Sequence, residues 1–313
     1  MTAAILCLLA GQSTAWPGNA QPSGFDLQAH RGGRGETTEE SLRGFAKSIE
    51  LGVTTLELDV VLTRDRHPLV WHDPVIEPAK CGDTAPVVAG DPQFPYVGKP
   101  VRDLSLAQLR TLRCDKALPE HPDAEVVPGN TVATLDQVFA LADSYPAGVR
   151  FNIETKVDGA DPQQIVDVVL SSVRAAGKLG LVEIQSFDWR TLPLVRAAEP
   201  MVPLVALWDG TTWTPGSPWL AGIDPAVVPD PVTAARMVGA DVVAPEYRSV
   251  DAELVSRAHA LGLKVVSWTV NDAEAMRAQI GLGLDGFITD YPALGRAVLA
   301  GLGMALPPAY RHG

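Results

Sequence analysis

Positive charge is scarce in this chain: 25 Lys and Arg stand against 37 Asp and Glu, for a net charge of −12. That balance opposes non-specific binding to nucleic acid or to an anionic membrane surface, so any phosphate recognised here is bound locally, in a pocket. Long apolar runs are also missing. No stretch approaches the roughly 20 residues of a helical membrane span, and the sequence therefore predicts no transmembrane segment. Cysteine is limited to three residues, which excludes a disulfide-dense scaffold and leaves folding to a core that the 46% hydrophobic share can supply. No internal repeat, low-complexity tract or flexible linker interrupts the 313 residues, which favours one domain over two. Nothing in the sequence fixes an oligomeric state.

The first fifteen residues hold an apolar stretch (3–10) followed by Ser13-Thr14-Ala15, a small-residue pattern suited to cleavage after Ala15. We expect a signal peptide over residues 1–15 and a secreted or extracytoplasmic protein, although no Lys or Arg precedes the apolar run. Cleavage would remove Cys7 and leave Cys81 and Cys114, an even pair that suits an oxidising compartment. They flank a Pro- and Gly-rich excursion, where a disulfide would tether a loop with little core of its own. Two separate buried thiols are the alternative.

Eight short β-rich runs recur, each followed by a helix-like segment: FDLQAH, TTLELDVV, RFNIETK, VEIQSF, PLVALW, DVVAPE, KVVSWTV and GFITD. Amphipathic stretches at 39–51, 162–176, 189–198, 251–261 and 273–282 lie between them. This alternation predicts a parallel sheet covered by helices, and eight units predict closure into a (β/α)8 TIM barrel. Residues 74–129 break the rhythm, with one convincing helix at 105–113, and read as an insertion after the second strand region. A second irregular stretch, 209–231, carries Trp213 and Trp219 and is expected at the mouth.

Charge gathers where the apolar runs end: His30-Arg31-Gly32, Glu57-Leu58-Asp59, His72-Asp73 and Glu154-Thr155-Lys156. Ionised groups at buried positions are costly unless paired with each other or with a metal. Strand alternation puts Glu57 and Asp59 on one face, with Leu56, Leu58 and Val60 on the other, so a barrel points both carboxylates inward. With Glu154 they form an all-oxygen set that suits a hard divalent ion, Mg²⁺ or Ca²⁺, better than zinc. A salt-bridge cluster with Arg31 and Lys156 is the structural alternative. His30 and His72 are candidate proton carriers at strand ends, whereas His67, His121, His259 and His312 read as structural. Arg31 and Lys156 would answer the negative charge of a phosphate and of its pentacoordinate transition state.

In order along the chain, His30-Arg31-Gly32, Glu57-Leu58-Asp59, His72-Asp73-Pro74, Asn152-Ile153-Glu154-Thr155-Lys156, Gln185-Ser186-Phe187, Trp268-Thr269-Val270-Asn271 and Thr289-Asp290-Tyr291-Pro292 resemble the motifs of the glycerophosphodiester phosphodiesterases, in the phospholipase-C-like TIM-barrel superfamily. The resemblance covers residues 25–299. It implies a barrel domain over 24–302, with 74–129 as the family's insertion and 303–313 as a tail. It further implies a small-molecule glycerophosphodiester substrate, metal ligation by Glu57, Asp59 and Glu154, acid and base roles for His30 and His72, and phosphate contacts from Arg31 and Lys156. Gln185, Phe187 and Trp268 would surround the substrate. The implied reaction yields sn-glycerol 3-phosphate and an alcohol; a lysophospholipid or cell-wall substrate releasing a cyclic phosphate, or a barrel that only binds, are the other readings. One departure stands out. Where the family carries Pro-Glu-Asn-Thr, this chain has Thr38-Glu39-Glu40-Ser41, and Glu40 in place of the amide is expected to alter hydrogen bonding around His30 and to add negative charge.

Overall fold

Ten strands form in the computed structural model, which describes residues 24–146, 148–159 and 161–311. The expected signal peptide and Cys7 lie outside the described residues. In chain order the strands are β1 (Asp26–Ala29), β2 (Thr55–Leu62), β3 (Pro68–Val70), β4 (Ala133–Thr134), β5 (Arg150–Thr155), β6 (Val182–Ser186), β7 (Leu204–Trp208), β8 (Val242–Pro245), β9 (Lys264–Ser267) and β10 (Gly286–Thr289). Strands β1, β2 and β5 to β10 are mutually parallel, and β1 pairs with both β10 and β2, which closes an eight-stranded barrel. Its strands are buried almost throughout, which is why they read as continuous apolar runs rather than alternating ones.

Helices cross between the barrel strands: α1 (Leu42–Leu51), then α2 (Leu106–Leu109) inside the insertion, α3 (Leu135–Asp143), α4 (Pro162–Ala175), α5 (Thr191–Ala198), α6 (Pro231–Met237), α7 (Ala252–Ala260), α8 (Ala273–Gly281) and α9 (Pro292–Gly301). Their starts are chemically marked. Ser41, Asp161, Asp230, Asp251 and Asp272 each accept a backbone N–H of the first turn through the side chain. Helix α1 buries Phe45 and Ile49, four residues apart, against the barrel and ends at Gly52, whose φ of 95° suits glycine. Truncating Phe45 to Ala would cost about 3–5 kcal/mol.

Two boundaries differ from the sequence reading. The first helix starts at Leu42 rather than at residue 39, because Ser41 caps it and Glu40 holds a left-handed φ of 53°. The helix expected at 105–113 is a single turn, Leu106–Leu109. Arg113 instead exchanges two backbone hydrogen bonds with Gly82, which pulls the chain into extended form just before Cys114.

The barrel interior is divided. On the β7 to β10 side, Val205, Leu207, Val242, Ala244, Val266 and Ile288 form a small apolar cluster separate from the main core. The β1, β2, β5 and β6 side is polar: Gln28, Glu57, Asp59, Asn152, Glu154, Glu183 and Gln185 are all buried. Amides join the two ends of this polar half. Gln185 Nε2 donates to Glu57 (2.6 Å), Asn152 Nδ2 to Gln185 Oε1 and to Gln28 Oε1 (both 2.9 Å), and Gln28 Nε2 to Glu183 at the floor (3.0 Å).

Strands β3 and β4 lie outside the barrel proper. β3 runs antiparallel to the far end of β2, with Val60 opposite Val70, and β4 pairs in turn with β3. The chain between β3 and β4 builds its own apolar cluster around Leu69, Trp71, Ile76, Tyr96, Leu104 and Leu109, stapled by a Cys81–Cys114 disulfide. Closing a 33-residue separation stabilises by about 3–4 kcal/mol on a chain-entropy account. The bond fits an extracytoplasmic location, and no helix among the described residues is long and apolar enough to cross a membrane.

Candidate active site

The inward alternation expected of β2 holds. Leu56, Leu58 and Val60 pack in the main core, while Glu57 and Asp59 are buried on the opposite face, and Asp59 lies in register with Glu154 on β5. Each of these three carboxylates offers an oxygen within 4.8 Å of the others. Mutual repulsion at that spacing demands cations. Lys156 Nζ reaches Glu154 at 2.9 Å and Asp59 at 3.3 Å, and Arg31 Nε lies 3.1 Å from Asp59 Oδ2. Arg31 sits there because the chain turns sharply after β1, with φ 49° and ψ 39°, which also lets its backbone N–H donate to Glu57 at 2.9 Å.

The electrostatics are uneven. Burial, reinforced by Asp59, pushes Glu57 well above its ordinary range. Burial likewise raises Glu154, to about 7, against the pull of Lys156. Asp59 goes the other way: burial would raise it, but Lys156, His72 and Arg31 outweigh that and hold it well below the usual carboxylate range. Its Oδ2 is buried and takes no hydrogen bond, because Arg31 is close but not aligned. An orphaned carboxylate oxygen inside an all-oxygen trio fits a hard divalent cation.

The two imidazoles stand on different supports. His30 Nδ1 meets Asp290 Oδ1 at 2.5 Å, just beyond the end of β10, and Asp290 is held in turn by Asn271 Nδ2 at 2.7 Å. His72 Nδ1 meets Asp73 Oδ1 at 2.9 Å in the loop after β3, and Lys80 Nζ binds both Asp73 Oδ2 and Glu39 Oε1. Among the described residues, each ring's hydrogen bond is made through Nδ1 and none through Nε2. Burial lowers both imidazoles from their ordinary value, opposed by Asp290 at His30 and by Asp59 at His72. Burial would raise both partner carboxyls, but each ends well below the usual range: Asp290 through His30, Asp73 through His72 and Lys80.

Phe187 and Trp268 form an edge-to-face pair at 5.2 Å, and Lys156 lies over the Phe187 ring at 5.9 Å. A cavity of about 380 Å³ opens from His72, Glu154 and Lys156 past Phe187 to Trp219, so the irregular stretch at 209–231 does reach the mouth. Gln185 is buried beneath, bonded to Glu57.

Glu40 is directed at the carboxylate cluster. Its Oε1 accepts from the Asp59 backbone N–H at 3.2 Å, and no hydrogen bond links it to His30. Burial, then Asp59 and Glu39, push its carboxyl well above the ordinary range. Sequence reasoning also passed over Asp290, Asn271 and Lys80 as supports. Asp290 follows an apolar strand, GFIT, so the same strand-end criterion that found His30 points to it; Lys80 lies in the insertion and carries no such signal.

Residues 30–294 match the glycerophosphoryl diester phosphodiesterase family. A glycerophosphodiester phosphodiesterase of Caldanaerobacter subterraneus is 26% identical across 84% of this chain and 93% of its own length. Another, of Bacillus subtilis, is 27% identical across 92% of each. A crystal structure from Silicibacter pomeroyi, described as a candidate glycerophosphoryl diester phosphodiesterase, superposes with a TM-score of 0.77 at 28% identity, over 91% of this chain and 96% of that one. With the match spanning nearly the whole barrel, the chain belongs to the glycerophosphoryl diester phosphodiesterase family and is a phosphoric diester hydrolase.

Proposed function

We propose that this enzyme cleaves glycerophosphodiesters to sn-glycerol 3-phosphate and a free alcohol, with His30 and His72 as its acid and base. The observation that carries the reading is the pair of imidazoles, each oriented by its own carboxylate, beside three clustered carboxylates and the cations Arg31 and Lys156. Because Nδ1 of each ring faces a carboxylate, Nε2 is the atom that exchanges protons. One imidazole takes the proton of the free glycerol 2-hydroxyl as that oxygen attacks phosphorus, and the other protonates the departing alkoxide. A cyclic phosphate results. Water then opens it, with the two rings exchanging roles and returning to their starting protonation.

Arg31 and Lys156 meet the charge that grows on the non-bridging oxygens, and Gln185, Phe187 and Trp268 line the substrate's surroundings. Glu57, Asp59 and Glu154 would hold Mg²⁺ or Ca²⁺, which when bound supplies Lewis acidity toward phosphoryl oxygen. We take 24–302 as the catalytic domain, 74–129 as its insertion, 303–313 as a tail and 1–15 as a cleaved leader. Export is supported by the Cys81–Cys114 bond. N-terminal sequencing of the mature protein tests it.

The deciding experiment is turnover of glycerophosphocholine and glycerophosphoethanolamine with Mg²⁺ or Ca²⁺, followed by phosphorus NMR. Glycerol phosphate is the expected final product, and chelator abolishes its release. Failure to release it with either ion, or full turnover by His30→Ala, overturns the proposal; a cyclic phosphate as the end product replaces it with the lysophospholipid or cell-wall reading.

A further inference from the structure

Lys80, in the insertion, binds the carboxylate partner of a candidate acid–base group. Its ammonium is shared between Asp73, the partner of His72, and Glu39, which belongs to the loop after β1. Glu39 is itself fixed by Arg34 at 2.7 Å and by Arg31 at 3.6 Å. Lys80 therefore ties the loop that presents His72 to the loop that presents His30 and Arg31. The side chain is well placed for this: it is only 12% exposed and lies over the Trp71 ring at 5.2 Å.

The backbone of Lys80 is fixed as firmly as its head. The N–H groups of Lys80 and Cys81 both donate to Glu77 O at 3.0 Å, and Lys116 N–H donates to Lys80 O at 3.3 Å. Cys81, the next residue, is fully buried and bonded to Cys114, and Gly82 exchanges two hydrogen bonds with Arg113. Covalent closure thus sits one residue from the ammonium. Without that ammonium, Asp73 and Glu39 would face each other as two carboxylates with one fewer cation between them, and like charges at such range separate.

We propose that Lys80 is a positioning residue for His72, acting through Asp73, and that the Cys81–Cys114 disulfide holds Lys80 in place, so that turnover depends on the oxidised state of the insertion. This rests on the reading of His72 as an acid–base group. A ring displaced by about 1 Å from its working position loses on the order of 100-fold in rate.

The test is a double-mutant cycle on the full-length enzyme. Lys80→Met should lower kcat by about 10- to 100-fold, with KM and calorimetric Mg²⁺ affinity close to wild type, and Lys80→Arg should recover most of the loss. Lys80→Met combined with Asp73→Asn should lose no more than the worse single variant. Cys81→Ala with Cys114→Ala should reproduce part of the drop in kcat and add little to Lys80→Met. That arm serves equally if Lys80→Met fails to fold. Unchanged kcat in both Lys80→Met and the cysteine double variant, or losses that multiply across the cycle, overturn the proposal. Wild-type enzyme without turnover on any glycerophosphodiester overturns the functional reading instead.

Discussion

His30 follows one barrel strand and its partner Asp290 follows the strand beside it, so both are placed by backbone hydrogen bonds that run Asp26 to Ala29 against Gly286 to Thr289. His72 follows β3 outside the barrel, and its partner Asp73 is held from the insertion by Lys80. The first imidazole is 15% exposed and the second 32%. Equivalent chemical groups are therefore supported at different depths. Where the barrel supplies the support, fixing the fold fixes the group; where the insertion supplies it, the group depends on contacts that can loosen locally.

The largest effect should ignore this difference. His30→Gln and His72→Gln should each lower kcat by roughly 10²–10⁴-fold, because each removes a proposed proton carrier whatever supports it; rates on glycerophosphocholine check this, and a loss confined to one histidine would break the symmetry of roles.

The supports should then separate the two. Asp290→Asn leaves one of its two donors, His30 or Asn271, facing an amide NH₂ in a site only 6% exposed. We expect about a 100-fold loss of kcat there, against about tenfold for Asp73→Asn, where the 20% exposed side chain lets water take the orphaned donor. Equal losses would show that depth of support does not matter.

The smallest effect lies at the barrel floor, far from either imidazole. Burial, then Asp26, raises Glu183 from its ordinary 4.5 to about 7. The folded protein thus keeps this proton to a higher pH than the unfolded chain, unfolding releases it, and stability falls as pH rises from about 4.5 to about 7. Glu183→Gln keeps an acceptor for Gln28 and should flatten that slope, a difference on the order of 1–3 kcal/mol across the window. Chemical denaturation of both proteins at pH 4.5 and 7 measures it, and an unchanged slope removes Glu183 as its source.

The barrel was legible because parallel strands buried on both faces leave unbroken apolar runs, and because charge at the end of such a run is expensive enough to need a purpose. Glu57, Asp59, Glu154, His30, Arg31 and Lys156 all emerge from those two rules, and the register of β2 against β5 brings the carboxylates together. Lys80 could not emerge. Its contacts with Glu39 and Asp73 depend on how an irregular segment folds back over the mouth, which neither periodicity nor spacing encodes. The short α2 has the same origin: Ser105 and Gln108 form a good capping box, but the pairing of Arg113 with Gly82 ends the helix after one turn. Glu40 was visible as an odd residue, yet its direction was set by a left-handed backbone that sequence does not announce for glutamate.

The ribbon of β3 and β4 has a consequence for how this enzyme can diversify. The chain leaves the ribbon after Val70 and returns at Ala133, and these two residues are paired neighbours. Exit and return at one point make the intervening segment a cassette: it can grow, shrink or be exchanged while every barrel strand keeps its register. The cassette carries His72 as its second residue, so any lineage that rewrites it must re-establish the hold on that imidazole.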